Sequence, residues 1–350
     1  MKVSSVTSEG KSILRNKYRY RGFILTLLVG FLSIGCATRP GTETQDPLPS
    51  WNDGPSKQGI VEFVRNVTDA NSADYVEPSE RIAVFDNDGT LWAEKPIYFQ
   101  FFFILDRIRS MAPDHPEWKT TQPFQAVLEN DFETLGATDR DALAYMMGIA
   151  VSGTTTEEFE DIVKNWLATT VHPVTGQPYT SMVYQPMLEL LDYLKANGFT
   201  NFIVSGGGIG FMRPWSEAVY GIPPERVVGT SMELEYELLD GKPVIQRKPQ
   251  LHFLNDKGGK PVSIERFIGR RPILAAGNSD GDYQMLEWTT AGKGKRLGLI
   301  VHHTDAEREW AYDRDSTSGR LDRGLDHAAA NGWLLIDMAS EWKLVFPAEQ

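Results

Sequence analysis

"RIAVFDNDGTLW", residues 81–92, is the stretch on which the fold turns. Ile82 to Phe85 reads as a short apolar strand, and it runs directly into Asp86 and Asp88. Two positions apart at a strand end, both carboxylates leave on the same side. Asp-Asn-Asp-Gly is also an ordinary acidic turn when it stands alone. The downstream sequence has to decide between a turn and a strand that exists to hold two acids.

The chain has 350 residues, enough for one large domain or two moderate ones, and 41% hydrophobic residues supply a sizeable core. The formal net charge of -12 leaves no room for a broad basic face, which excludes nucleic acid as a partner. At the N-terminus, Lys11, Arg15, Lys17, Arg19 and Arg21 precede the apolar run Gly22 to Gly35. The run is shorter than the ~20 residues of a spanning helix and has the basic flank of a secretory signal. It ends at Cys36, the only cysteine, and "LSIGC" resembles a bacterial lipobox with Ser33 at the usual aliphatic position. Residues 1–35 are therefore expected to be a signal peptide and Cys36 to be lipidated, with a simple membrane anchor as the other reading. Those 35 residues carry six basic groups and one acid, a net of +5, so their removal takes the chain from -12 to -17. Lipidation of Cys36 also leaves no thiol for disulfides. Ala37 after the cysteine resembles the outer-membrane sorting pattern of Gram-negative lipoproteins, so the protein is expected to face the periplasm. Residues 36–50 read as a flexible tether rich in proline and polar residues.

Helical spacing follows at residues 56–70. It recurs in "IYFQFFFILDRI", "PFQAVLENDF", "DRDALAYMMGIAV" and "TEEFEDIVKNWLATT", the last behind capping threonines. No second strand signal occurs before "NFIVSGGG", residues 201–208, which follows a helix stopped by Gly198. Then the pattern changes. Residues 226–249 alternate about an Asp240-Gly241 hairpin turn, and "PILAAG", "KRLGLIVHH" and "GWLLIDM" are further apolar strands. Helices are expected between them at Val262–Ile268, Tyr283–Thr289, Ala306–Tyr312 and Leu325–Ala330. Buried strands alternating with helices define a doubly wound parallel α/β sheet. The expected division is a core of residues 51–92 and 200–350, with residues 93–199 as a helical cap subdomain inserted after the first strand.

In an open α/β sheet, ligands bind beyond the carboxyl ends of the strands. The residues there are Asp86 and Asp88, then Ser205 with three glycines from Gly206, then Asn278, Asp280 and Asp282, with Lys257 and Lys260 shortly before. Converging acids repel unless a cation joins them, and hard oxygen ligands suit Mg²⁺ bound together with a substrate phosphate. Ser205, Gly206 and the lysine would hold phosphate oxygens. Simpler motifs fail. Leu91 and Tyr283 occupy the glycine position of a calcium loop, and Ile203 replaces the first glycine of a nucleophile elbow.

This order of pieces resembles the haloacid dehalogenase-like hydrolase superfamily from about Arg81 to Met338. "DNDGT" is similar to its first motif, Ser205 to its second, Lys260 in "GKPVSIERFIG" to its third, and "GNSDGD" to its fourth. The cap placement is similar to that of phosphoserine-phosphatase-like members. The resemblance implies Asp86 as nucleophile and Asp88 as acid and base, acting on small phosphomonoesters. It implies Mg²⁺ on Asp86, the Asp88 carbonyl, Asn278 and Asp282. Asn278 departs from the expected aspartate, which leaves Asp280 open as an alternative ligand and Lys257 open beside Lys260. Glu94 and Arg213 are candidate substrate contacts, and His302 and His303 are read chiefly as structural. A phosphotransferase, or an envelope binding module that kept the fold, are the alternatives to a phosphatase.

Overall fold

The computed structural model describes residues 46–348. The signal peptide, Cys36 and most of the expected tether lie outside the described residues. Among those described, no helix is long and apolar enough to cross a membrane.

At the centre is β1 (Ile82–Phe85), all four residues buried, as a strand covered on both faces requires. Six more strands complete one sheet: β2 (Thr200–Gly208), β3 (Val227–Leu239), β4 (Lys242–Phe253), β5 (Leu274–Gly277), β6 (Leu297–His302) and β7 (Leu334–Asp337). Their order is β4-β3-β2-β1-β5-β6-β7. All neighbours are parallel except β3 and β4, which form the expected hairpin. Its turn residues Asp240 and Gly241 have φ of 51° and 75°, the left-handed pair that a tight hairpin demands. Successive strands leave β1 to opposite sides, so β1 lies at the switch point where such sheets bind ligands. Phe85 is in register with Ile203 on one side and Ala276 on the other. That register brings Asp86, Ser205 and Asn278 out at one edge.

Between β1 and β2 the described chain is helical, with α-helices at Phe99–Met111, Phe124–Glu129, Phe132–Ala137, Arg140–Ala150, Thr156–Thr169 and Gln185–Ala196. Thr155 and Glu158 form a reciprocal capping box at the start of the fifth. These helices do not stand apart from the sheet. Trp92 stacks on Trp215 with ring centroids 4.5 Å apart, and Phe103 packs on Phe159, Trp166 and Phe211, within one apolar cluster that runs from the sheet into the helices. The hairpin adds a second join. Arg247 N–H donates to the Thr154 carbonyl at 3.0 Å and Gly153 N–H to the Arg247 carbonyl at 3.1 Å, so β4 bonds to the loop ahead of helix Thr156–Thr169.

Two expectations are corrected. Residues 46–50 are packed rather than free: Leu48 is fully buried and Asp46 pairs with Lys57 at 2.6 Å. Residues 306–308 form a turn and 309–312 run on without regular structure, in place of the expected helix. Asp305 caps that turn by accepting from the N–H groups of Glu307 and Arg308. Buried Glu309 then draws the chain inward by accepting from Tyr184 Oη at 2.9 Å, and helical continuation stops there.

Candidate active site

Asp86 leaves the end of β1 with its N–H still donating to the Ala276 carbonyl of β5. Its carboxylate faces the ammonium of Lys260, with Nζ 2.8 Å from Oδ1. This is an ion pair out of hydrogen-bond alignment, since Oδ1 is buried without a hydrogen bond. The same ammonium lies 2.5 Å from Asp282 Oδ1. Lys260 is 2% exposed, and burial alone would lower its pKa; the Asp282 and Asp86 carboxylates outweigh burial and raise it. Asp86 is pushed well above the ordinary carboxylate range by burial and by the charges of Asp282 and Asp88, with Lys260 opposing.

Asp88 points from the turn after β1. Trp92 Nε1 donates to its Oδ1 at 2.8 Å, and a Cβ at Gly207 would lie 3.5 Å from its Oδ2. Burial raises its pKa to about 6, against the lowering effect of the Trp92 hydrogen bond. Gly89 closes this turn at a φ of 69°. Any Cβ there would meet Asn278 and Glu94 side-chain atoms at 2.0–2.6 Å, so only glycine fits.

Lys260 is aimed by a chain of buried bonds. It sits in helix Gly259–Phe267, where Ser263 Oγ donates to Asn255 Oδ1 at 2.6 Å and Asn255 Nδ2 donates to the Ser205 carbonyl at 2.9 Å. The helix carrying the lysine is thereby tied to the end of β2. Lys257 lies in the exposed turn before it, with a φ of 51°, so of the two lysines it is Lys260 that reaches the carboxylates. Ser205 is buried and its Oγ accepts from Gly207 N–H at 3.0 Å.

Asp282 is fully buried, and its Oδ2 accepts from the N–H groups of Asn278 and Ser279. It organises the loop after β5. Asp280 takes no part in the site: its oxygens accept from the N–H groups of Asp322, Arg323 and Gly324 and so tie down the Arg323–His327 helix start. Asn278 Nδ2 donates to Glu94 Oε1 at 2.8 Å, and its Oδ1 accepts from Thr90 Oγ1 at 3.3 Å. Glu94 is 1% exposed, not on a solvated loop, and also accepts from Tyr312 Oη at 2.8 Å. Burial lifts its pKa to about 7, opposed by His303. His303 is structural: its ring spans Gly89 O at 2.8 Å and Glu309 Oε2 at 3.2 Å beneath the Asp86–Asp88 turn.

Arg213 is not brought to the site. It is exposed, and its guanidinium donates to the carbonyls of Pro224 and Val227 behind helix Ile209–Tyr220. Gln100 is a site neighbour that the sequence reading passed over. It accepts from Gly208 N–H at 2.7 Å and fixes the glycine turn after Ser205. As the one side-chain amide in the run Ile97–Leu105, it was the available signal.

Asp86, Asp88, Glu94, Gly206 and Lys260 line one cavity of about 300 Å³. Among the described residues no three His, Cys, Asp or Glu side chains are grouped to hold a metal ion.

Residues 83–287, more than half of the chain, match the haloacid dehalogenase-like hydrolase family, and the chain belongs to it as a hydrolase. Among solved structures it is similar to a protein of unknown function from Bordetella pertussis Tohama I, at 16% identity over 74% of this chain and 99% of that one, TM-score 0.47. A functionally unknown protein from Anaerococcus prevotii DSM 20548 gives 18% identity over 71% and 86%, TM-score 0.45. A phosphoserine phosphohydrolase-like protein from Francisella tularensis subsp. tularensis SCHU S4 gives 18% over 71% and 98%, TM-score 0.37. No curated protein matches the chain.

Proposed function

We propose that the protein is a Mg²⁺-dependent phosphatase of small phosphomonoesters. The observation that carries this reading is the convergence of a nucleophile, a second acid with a raised pKa and a buried ammonium on one cavity at the sheet edge. Asp86 attacks phosphorus in line, and the bond to the ester oxygen breaks as an aspartyl-phosphate forms. Asp88, about half protonated near pH 6, gives its proton to the departing oxygen. It then takes a proton from the water that cleaves the aspartyl-phosphate, which returns Asp86 and releases phosphate. Lys260, Ser205 and the Gly206 backbone hold the phosphoryl oxygens.

The donors suit Mg²⁺ in number and type. Asp86 Oδ1 faces Lys260, which leaves the other oxygen of that carboxylate for the ion, and the Asp88 carbonyl and Asn278 amide oxygen add two hard donors. So small a set fits an ion that keeps several waters. Asp282, held by Lys260 and two loop amides, serves better as the organiser of Asn278 than as a ligand. When bound, the cation offsets the repulsion between an anionic ester and an acidic site.

Residues 93–199 form the cap of this reading, and Cys36 is its lipidation site, anchoring the enzyme on the periplasmic face of the outer membrane. Mass analysis of the membrane fraction, with Cys36→Ser as the released control, tests the anchor. For the activity, 4-nitrophenyl phosphate hydrolysis that requires Mg²⁺ and is lost in Asp86→Asn is the expected result. A metal-loaded protein inactive on a broad panel of phosphate esters overturns it. Transfer of phosphate to an added alcohol would assign a phosphotransferase instead.

A further inference from the structure

Beside the catalytic cavity lies a larger one of about 490 Å³, sharing Gln100, Ile104, Met147, Gly206 and Leu254 with it. Its wall is largely apolar, contributed by Val151, Phe159, Phe211 and Met232 among others, with one cation, Arg247. Arg247 comes from β4 and is 8% exposed. Its Nε donates to the Val151 carbonyl at 2.7 Å, and its guanidinium lies over the Phe159 ring at 4.0 Å. Nothing in the described residues engages its two terminal nitrogens. Burial lowers its pKa to about 10, and no carboxylate counters that effect, so it remains a cation at neutral pH. A buried guanidinium normally has a counter-charge, because desolvating it alone costs several kcal/mol or more.

The terminal nitrogens are aimed at a second electropositive feature. A Cβ at Gly210 would lie 2.7 Å from Nη1 and 3.4 Å from Nη2, so the fork sits over the first turn of helix Ile209–Tyr220. That helix begins at Gly208 with no side-chain cap, and Gly208 to Gly210 line the same chamber. The positive end of the helix dipole and an unpaired guanidinium converge on one point of an apolar cavity. A planar carboxylate suits a single fork, whereas a phosphate dianion calls for a second cation that the chamber lacks.

We propose that this chamber binds an apolar, carboxylate-bearing group, with the carboxylate on Arg247 and the hydrocarbon against Phe159 and Phe211. Together with the phosphatase reading, on which this part rests, the substrate class is a phosphomonoester whose alcohol is a hydrophobic acid. The ester would pass from Asp86 over Gly206 and Gln100 into the chamber.

Calorimetry with the full chain in EDTA separates the two readings, using 4-phenylbutyrate and its neutral analogue 4-phenylbutanol. The wild type is expected to bind the acid at least tenfold more tightly than the alcohol. Arg247→Met is expected to bind both with the affinity of the alcohol. Equal binding of the two by the wild type, or an undiminished preference in Arg247→Met, overturns the subsite. If Arg247→Met fails to fold, wild-type titrations at 50 and 500 mM NaCl decide the matter: the preference must shrink with salt. A preserved preference without turnover of any phosphate ester upholds the subsite and rejects the phosphatase. With turnover established, a kcat/KM for a carboxyalkyl-phenyl phosphate no higher than for its alkyl counterpart overturns the substrate class.

Discussion

Lys260→Met tests the electrostatic logic of the site most directly. The ammonium lies 2.8 Å from Asp86 and 2.5 Å from Asp282, and all three groups are buried. Methionine preserves most of the volume and deletes the charge, which leaves two carboxylates facing each other without water. Breaking a buried ion pair from one side costs about 3–5 kcal/mol. In a domain of this size each kcal/mol lowers Tm by about 2 °C, so a fall of roughly 6–10 °C at pH 7 follows. The pH dependence makes the test specific. Asp86 already has a folded pKa raised above 3.8. A carboxyl with a raised folded pKa binds more protons folded than unfolded, so stability falls as pH climbs through 3.8 toward the folded value. Removing Lys260 raises that folded value further and widens the window. The Tm difference between variant and wild type should therefore be small at pH 4 and open progressively toward pH 7. Melting curves in EDTA, which keeps metal from supplying the missing charge, measure it. A deficit that is the same at pH 4 and pH 7 refutes the charge argument and leaves only a packing defect.

Loss of the Asp88 proton should reduce kcat/KM as pH rises through about 6. The fall should be steep for an alkyl phosphate, whose leaving group needs that proton, and shallow for 4-nitrophenyl phosphate. Trp92→Phe removes the hydrogen bond that holds Asp88 down, so the same limb should move up by roughly one to two pH units, as expected for a charge-assisted bond of about 1.5–3 kcal/mol. Arg213→Ala should leave kcat/KM within about twofold of wild type, since that side chain serves only two backbone carbonyls away from the cavity. Steady-state assays on one ester settle this, and a tenfold loss would return Arg213 to the substrate. Gly89→Ala should abolish activity and lower Tm, because no Cβ fits between Asn278 and Glu94.

The strands were legible because each is a short apolar run closed by polar residues, and the chemistry sits where those runs stop. Asp86, Ser205 and Asn278 could thus be placed at one edge before their distances were known, and Lys260 followed from the helix start it occupies. Charge type alone did not separate Asp280 from Asp282. One ties down a distant helix start and the other organises the loop after β5, a difference made by which backbone amides each meets. Arg213 looked like an anion ligand because it follows the glycine turn, but the helix rotates it to the far face. Arg247 carried no signal at all. In "VIQRKPQ" it reads as one polar residue of an edge strand, and only the pairing of β4 with the loop at Thr154 buries it. The missing helix at residues 306–312 is similar, since a helical pattern there yields to the inward pull of Glu309 on Tyr184 and His303.

The two backbone bonds between Arg247 and the Gly153–Thr154 segment bear on how any ester reaches Asp86. A swinging cover would have to break them and split the shared aromatic cluster at every turnover. With those bonds kept through turnover, the helices and the hairpin would act as a fixed aperture, and selection would become a matter of cross-section. Bulky esters should fail at entry, with a depressed kcat/KM that solvent viscosity does not alter, while slender ones enter without waiting for a door to open.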